Sequence, residues 1–575
     1  MASEPMLSGA EAVCEVLAQH GVGTTFALGG ASHTFLLDAL ERRGVGIVST
    51  RHETGTVAAA DGYSRVTGKL GVALIISDQG VPNAITGIAT AFHACSPVLV
   101  LVARLPTASL EAEAEADHDK QALTESIVKW SRTVPSAERL PEYVDVAARR
   151  ALTGRPGPTV LVIPQEFLQA NLAAFHVPRP RTLPTLPGPS EAAVEAACDM
   201  LAEAQRPLII VGAGGARSGA GPALRDLVAK FPMPVLGNGL GRGLVPEDDE
   251  LSFSWPYGQF GAKEADLVLV LGARLKQRLG YGLPPRFSPQ ARWIQVDIAA
   301  EEQHRNRPID LPIAADVGLT CGAIAAGLQA RGIAPGWSGG WLKQALAGRD
   351  ARLAELRQLP TAPVHPLDLG RAIMAELPAN AIYVGDGAAI QNWMYATLRV
   401  RQAPGFMDHY PLGSMGIGTP LALGAAAGAR ELAAHNHGPQ RPVVLVTGDG
   451  SFGFYIAELE SFSSAGLAAV VVVGNDRAWG TERHGQLKAI QRSVNTDLGE
   501  QRFELVAEGF GCRGERVEDL AGFQQRFKAA LQDGGTTVFN VVLDREAGAL
   551  LKSDPRLSMV IFNDLATGKE LEAKA

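Results

Sequence analysis

Two carboxylates and the glycines around them carry the most chemistry in this sequence. Asp449 stands between Gly448 and Gly450, and after 24 further residues come Asn475 and Asp476. Val443-Val444-Leu445-Val446-Thr447, ahead of the first group, reads as a buried parallel strand, and residues 468–473, ahead of the second, as another. The glycines permit a tight turn at the strand end, where a helix over residues 451–464 is expected to start. Oxygen ligands on two adjacent strand ends, beside a helix N-terminus, suit Mg²⁺ bridged to a diphosphate. Free N–H groups and the helix dipole favour the phosphates, and the carboxylates hold the hard cation. A lone Gly-Asp-Gly turn is common and mostly structural; with this spacer and the Asn-Asp pair it is specific.

The elements that must position these groups follow one pattern. Strand-like apolar runs alternate with helical periodicity along the whole chain, which favours an α/β fold with parallel sheets covered by helices on both faces. Proline-rich residues 176–189 (HVPRPRTLPTLPGP), and less emphatically 359–366 (LPTAPVHP), cannot continue a helix or central strand and read as linkers. They divide the chain into units of about 1–180, 190–355 and 360–575. Each is a doubly wound parallel-sheet domain of ordinary size.

Composition excludes several classes. A net charge of −8 gives no reason to expect nucleic acid or an acidic membrane surface as partner. The five cysteines (14, 95, 198, 321, 512) are widely spaced and read as buried thiols, neither a disulfide frame nor a zinc site. The first twelve residues lack a signal-peptide core, the final four are no peroxisomal address, and the apolar runs are strand-length. A soluble cytoplasmic protein is expected.

The Asp449–Asp476 arrangement resembles the thiamine diphosphate motif of the superfamily that holds decarboxylases, acetolactate synthases and 2-hydroxyacyl-CoA lyases. The three units match its pyrimidine-binding, middle and diphosphate-binding domains in order. Asn475-Asp476 departs from the family's Asn-Asn. By that alignment the metal ligands are Asp449, Asp476 and the carbonyl of Ala478; Asn475 as ligand stays open. The resemblance also implies a homodimer at least, commonly a homotetramer, since two subunits share each cofactor.

Arg51-His52-Glu53 ends an expected strand and is similar to the corresponding segment of benzaldehyde lyase. Taken alone, a glutamate in a first helical turn usually just complements the helix dipole, and a His-Glu-x-x-His zinc motif fails at Thr56. The resemblance gives Glu53 a task. A carboxyl group hydrogen-bonded to N1′ of the cofactor's aminopyrimidine favours the imino tautomer, whose 4′-nitrogen then removes the thiazolium C2 proton.

In the third unit, Tyr410-Pro411-Leu412-Gly413-Ser414-Met415-Gly416 is similar to the segment that props the cofactor in a bent shape. Met415 would be the prop and Ser414 its neighbour, although a methionine in a turn is also a core filler. Gly385-Asp386-Gly387-Ala388 resembles the second diphosphate loop, with Gly387 and Ala388 in contact. Gly450 and Ser451 would donate to phosphate. Ala478, Trp479 and Gly480 would lie over the thiazolium. Glu482 stands as a proton-transfer candidate, equally readable as a salt-bridged glutamate paired with Arg483.

Substrate signals are weaker. Ala31, Ser32 and His33 follow a strand and a glycine-rich turn where relatives face substrate, though His33 is as readable as a surface or capping histidine. Ser77-Asp78-Gln79-Gly80 departs from the Ser-Gly-Pro-Gly of relatives. The acidic run 111–119 offers Glu115 or Asp117 without clear register. His93 and His118 stand singly, against a simple 2-oxo acid decarboxylase. In the middle unit the runs at 241–246, 272–275, 282–287 and 293–298 resemble 2-hydroxyacyl-CoA lyases and oxalyl-CoA decarboxylases. Those proteins contact an ADP moiety there. Arg217, Arg274 and Lys276 would meet phosphates, and Asp297 a ribose or adenine, of an ADP or CoA moiety; each also reads as a structural ion pair. The apolar stretch 555–565 reads as a lid or a subunit contact. The expected activity is carbon–carbon cleavage of a 2-hydroxyacyl-CoA to formyl-CoA and an aldehyde or ketone. A benzaldehyde lyase or acetolactate synthase-like carboligase is the alternative.

Overall fold

The computed structural model describes residues 6–112, 119–180, 182–254, 262–333, 340–358 and 364–547. Three six-stranded, all-parallel sheets follow one another along the chain. Their central strands, such as Val98–Arg104, Leu267–Leu271 and Val470–Asn475, are continuous apolar runs and almost wholly buried. That composition fits strands covered on both faces by helices rather than an alternating, half-solvated sheet.

The strand order decides where ligands can go. In the first sheet the order is Gly46–Ser49, Thr24–Leu28, Gly71–Ile76, Val98–Arg104, Thr159–Pro164, Trp130–Thr133. The chain winds outward from Thr24–Leu28, then returns to the other side of it at Gly71–Ile76. The second sheet reverses in the same way between Pro207–Val211 and Leu267–Leu271, and the third between Ile382–Gly385 and Val443–Gly448. At such a reversal the loops leaving the two strand ends diverge and open a crevice.

Two helices lock the first sheet to the third. Glu53–Thr67 and Gly418–Asn436 pack with their backbones nearly touching. A β-carbon on Gly62 would sit 2.1 Å from the Leu421 carbonyl oxygen, and one on Gly424 would sit 1.8 Å from that of Ala59. Glycine is required at both places by this approach. A half-buried network at one end of the contact holds the Glu431 carboxylate, which accepts from Tyr63 Oη and Lys69 Nζ, each at 2.8 Å.

Two expectations need correction. Residues 451–464 form two helical pieces, Asp449–Phe452 and Glu458–Ser464, not one helix. Gly453 separates them, and the intervening aromatics leave the helical path: Phe454 packs on Trp479, and Tyr455 on His52. Of the five cysteines, four are buried but Cys95 is half-exposed. The proline-rich residues 177–180 and 182–189 carry neither helix nor strand, whereas 359–363 lie outside the described residues. Glu115, Asp117, His118 and the stretch 555–565 lie outside them too. Among the described residues no helix is long and apolar enough to cross a membrane.

Candidate active site

The reversal in the third sheet holds a cavity of about 310 Å³. Gly387, Ala388, Met415, Asp449, Gly450, Ser451, Asp476, Ala478, Trp479, Gly480 and Glu482 all line it, so residues spread over nearly a hundred positions converge there. Ser414 belongs to the same turn as Met415 but is not part of the lining. The two glycine turns touch each other. Gly387 has φ +83°, and a β-carbon there would fall 2.8 Å from the Gly448 amide. A β-carbon on Gly450 would strike the Trp479 ring at 2.4 Å. These contacts draw the two turns and the Trp479 ring close together, and each glycine amide is held by its neighbouring aspartate: Gly387 donates to Asp386 Oδ1 at 2.7 Å and Gly450 to Asp449 Oδ1 at 2.8 Å.

In the cavity wall, buried Asp449 and half-buried Asp476 share a partner. Asp449 Oδ2 and Asp476 Oδ1 each accept from the Ala478 amide at 3.2 Å. Desolvation raises both above the ordinary aspartate range, and for Asp476 the neighbouring Asp449 raises it further. Two carboxylates that repel each other in such a setting are a donor set suited to a divalent cation. Asn475 points elsewhere: its amide donates to Asn540 Oδ1 at 3.0 Å, and it does not line the cavity.

Met415 forms part of the wall, and Ser451 Oγ lies 3.7 Å from its sulfur. Glu482 also faces the cavity from an exposed position. Its neighbour Arg483 pairs with Glu546 at 2.9 Å rather than with Glu482.

Glu53 is not in this cavity. All the lining residues come from 366–544. Glu53 opens the helix Glu53–Thr67, is 5 % exposed, and accepts a hydrogen bond from Asn83 Nδ2 at 3.0 Å. The turn ahead of it is gripped by the third unit of the same chain: Glu458 accepts from the Arg51 amide at 3.1 Å. A β-carbon on Gly55 would meet that Glu458 carboxylate at 2.2 Å, so a side chain there would displace it from the Arg51 amide.

A second, larger cavity of about 430 Å³ sits at the reversal in the middle sheet. Arg217, Arg274, Lys276 and Asp297 all line it. The two cationic heads for which bonds are resolved donate to neutral oxygens: Arg217 Nη2 to Ser96 Oγ at 2.7 Å, and Arg274 to the His93 carbonyl. Burial, then the charge of Arg274, pushes Lys276 down to about 8, and burial raises Asp297. Arg65, Arg155 and Arg278 line it too, but each is paired with a carboxylate, Asp61 at 2.6 Å, Glu302 at 2.6 Å and Asp408 at 3.0 Å. The charges that suit a polyanion are those of Arg217, Arg274 and Lys276.

Ala31, Ser32 and His33 line neither cavity. Ala31 is exposed and Ser32 half-buried. His33 is wholly buried, not a surface residue, and makes no side-chain capping bond. Burial pushes it down to about 4, a neutral core imidazole.

Four residues of interest escaped the sequence reading. His409 and Trp393 line the smaller cavity. His409 is 1 % exposed, is pushed down to about 4 by burial, and has an Nδ1 without a hydrogen-bond partner. The third is Asn83 and the fourth Glu458. The position of His409 six residues before Met415 was the one available signal. Asn83 and Glu458 gain meaning only through contacts made by folding.

Comparison with known protein families matches three models in order. The Thiamine pyrophosphate enzyme, N-terminal TPP binding domain, covers residues 7–125; the central domain covers 194–324; the C-terminal TPP binding domain covers 386–541. Among curated proteins, the acetolactate synthase large subunit of Parasynechococcus marenigrum is 31% identical over 94% of this chain and 88% of its own length. A probable acetolactate synthase large subunit of Methanocaldococcus jannaschii is 29% identical over 96% and 95%. The 2-hydroxyacyl-CoA lyase 1 of Mus musculus is 27% identical over 92% and 93%.

Proposed function

The chain belongs to the thiamine pyrophosphate enzyme family, and from that premise we propose that it is a Mg²⁺-dependent carbon–carbon lyase that cleaves a 2-hydroxyacyl-CoA. The observation that carries the cofactor part is the pair Asp449 and Asp476, meeting at one amide beside two bare glycine turns. When bound, thiamine diphosphate supplies a nucleophilic carbon and an electron sink for breaking a bond next to a carbonyl.

The residues divide the remaining work. Asp449, Asp476 and the Ala478 carbonyl would hold Mg²⁺, and Ser451, beside the turns of Gly387 and Gly450, would hold the diphosphate. Met415 and Trp479 close the apolar walls and exclude water. Glu53 holds a proton at the pyrimidine nitrogen. The absence of Glu53 from the described cavity supports a working site completed by a second copy of the chain, a homodimer at the minimum with a homotetramer as its extension. Glu482 would take the proton of the substrate hydroxyl as the C1–C2 bond breaks and an aldehyde or ketone leaves, and would return a proton to C1, which kept the bonding electrons, so that formyl-CoA is the second product.

The basic cavity of the middle unit supports the thioester reading. Arg217, Arg274 and Lys276 suit the phosphates of an ADP moiety, whether part of CoA or a free nucleotide, and Asp297 suits a hydroxyl or amino group beside them. The reading keeps functional units at about 1–180, 190–355 and 360–575, in the cytoplasm. An acetolactate synthase-like carboligase is the second reading, favoured by the higher identity to acetolactate synthases, 31% against 27%. Supplying formyl-CoA with acetone or an aldehyde separates the two. Formation of a 2-hydroxyacyl-CoA supports the lyase; turnover of pyruvate or free acyloins alone overturns it in favour of the carboligase.

A further inference from the structure

Asp386 lies in the glycine turn after the strand Ile382–Gly385, yet its carboxylate does not line the cofactor cavity. It is wholly buried and turned toward a different loop. Oδ1 accepts from the amides of Gly387 at 2.7 Å and Gly416 at 3.3 Å, and Oδ2 accepts from Gly418 at 3.0 Å. One carboxylate therefore ties the turn that carries Gly387 and Ala388 to the residues just after Met415. The Asp386 backbone is fixed in turn. Its amide donates to Val446 O at 3.0 Å, and Gln391 Nε2 donates to its carbonyl at 3.1 Å while also bonding Val446 O.

The other foot of the same loop is held by a second buried carboxylate. Asp408 accepts from the Tyr410 amide at 3.1 Å, from Tyr395 Oη at 2.7 Å and from Arg278 at 3.0 Å. Met415 sits between these two anchors. Gly413 at φ +84° and Gly416 at φ +86° flank it, positions where a glycine backbone swings freely unless something restrains it. Carboxylate-to-amide bonds in a buried setting are strong restraints, and Asp386 supplies the pair nearest Met415.

We propose that Asp386 is a positioning residue that sets the placement of Met415 against the cofactor, by clamping Gly416 and Gly418 to the Gly387 turn. The inference rests on the reading of Met415 as the residue that bends the cofactor. Misplacing a positioning group by about 1 Å costs on the order of 100-fold in rate, whereas the Asp386 carboxylate bonds the amides of Gly387, Gly416 and Gly418 and makes no bond to Asp449 or Gly450, where the metal and diphosphate would be held.

The test uses the full chain with thiamine diphosphate and Mg²⁺, comparing Asp386→Asn and Asp386→Ala with the wild type. Two quantities are read: cofactor affinity, and the rate of deuterium exchange at the cofactor's reactive carbon. Affinity should stay within about 3-fold, while exchange falls about 10-fold for Asn, which keeps one acceptor oxygen, and about 100-fold for Ala. In a Met415→Ala background the Asp386→Asn change should cost nothing further, since neighbours acting through one another are not additive. Wild-type exchange rates in both variants, or full additivity with Met415→Ala, overturn the inference. A wild type that binds no thiamine diphosphate overturns the underlying reading instead. Should neither variant fold, backbone hydrogen exchange of the wild type decides: protection of the Gly416 and Gly418 amides supports the clamp, and exchange at the rate of an open loop refutes it.

Discussion

Asp449 and Asp476 accept the same hydrogen, that of the Ala478 amide, at equal distances of 3.2 Å. Asp449 Oδ1 also accepts from the Gly450 amide at 2.8 Å, but neutral amide donors only partly offset the repulsion between the two carboxylates, so a cation between them has a large effect. Asp449→Asn is expected to weaken Mg²⁺-supported cofactor binding on the order of 100-fold. Asp476→Asn keeps an oxygen ligand and removes one of two like charges, so it should cost under about 10-fold. Titrating Mg²⁺ against cofactor retention checks both. A larger loss for Asp476→Asn than for Asp449→Asn would reverse the ligand ranking.

How far the site could be read beforehand follows from what local pattern controls. Gly448-Asp449-Gly450 sits at the end of a five-residue apolar run, and that pattern alone announces strand, turn and helix start. Arg217, Arg274, Lys276 and Asp297 were likewise findable, because each follows a recognisable strand and the three strands are neighbours in one sheet. His409 and Asn83 gave no such signal, and Asp386 was legible as part of the turn at 385–388 but not as a clamp on Gly416 and Gly418. Each is a polar group whose value comes from a partner 30 or more residues away in sequence or from a buried setting, as with Asn83 on Glu53 and Gly416 on Asp386. The break at Gly453 was hidden for a similar reason. Helical periodicity continues through it, and the distant rings of Trp479 and His52 decide where Phe454 and Tyr455 go.

The crossing of Glu53–Thr67 with Gly418–Asn436 predicts a stability defect with no change in site chemistry. Gly62→Ala and Gly424→Ala each add a methyl where a carbonyl oxygen already lies within 2.1 Å. Alanine favours an isolated helix over glycine by up to about 1 kcal/mol, but overpacking a rigid contact costs about 1–3 kcal/mol or more. The net effect should be destabilising. A lowered denaturation midpoint in urea, with an unchanged slope, checks it; a raised midpoint would mean that the helices separate at little cost.

Lys276 predicts a pH dependence for polyanion binding to the larger cavity. Burial and Arg274 hold the free ammonium down to about 8. A bound phosphate favours the charged form and raises that value, so binding takes up a proton when performed near pH 8. Affinity for ADP should therefore be steady below about pH 7 and fall as pH rises through 8. Calorimetry in buffers of different ionisation enthalpy measures the uptake. Lys276→Gln should weaken binding at pH 7 and flatten the pH profile; a profile that keeps its shape would assign the proton elsewhere.

The absence of Glu53 from the cavity that holds Asp449 makes the strongest prediction about assembly. If each working site takes Asp449 from one copy and Glu53 from another, Glu53→Gln and Asp449→Asn homodimers are both deficient, the first by at least about 100-fold through loss of a proton-holding carboxyl group. Mixing the two variants under conditions that let subunits exchange then makes heterodimers. In each heterodimer one site carries both defects and the other carries neither. Random exchange puts half the dimers in that form with one good site of two, so activity should recover to about a quarter of wild type by the symmetry of a two-fold dimer. Sites built within a single chain would gain nothing from mixing, since every chain keeps its own defect. Recovery that tracks the rate of subunit exchange is the expected result, and its absence in a sample shown to contain heterodimers would place Glu53 and Asp449 in the service of the same chain.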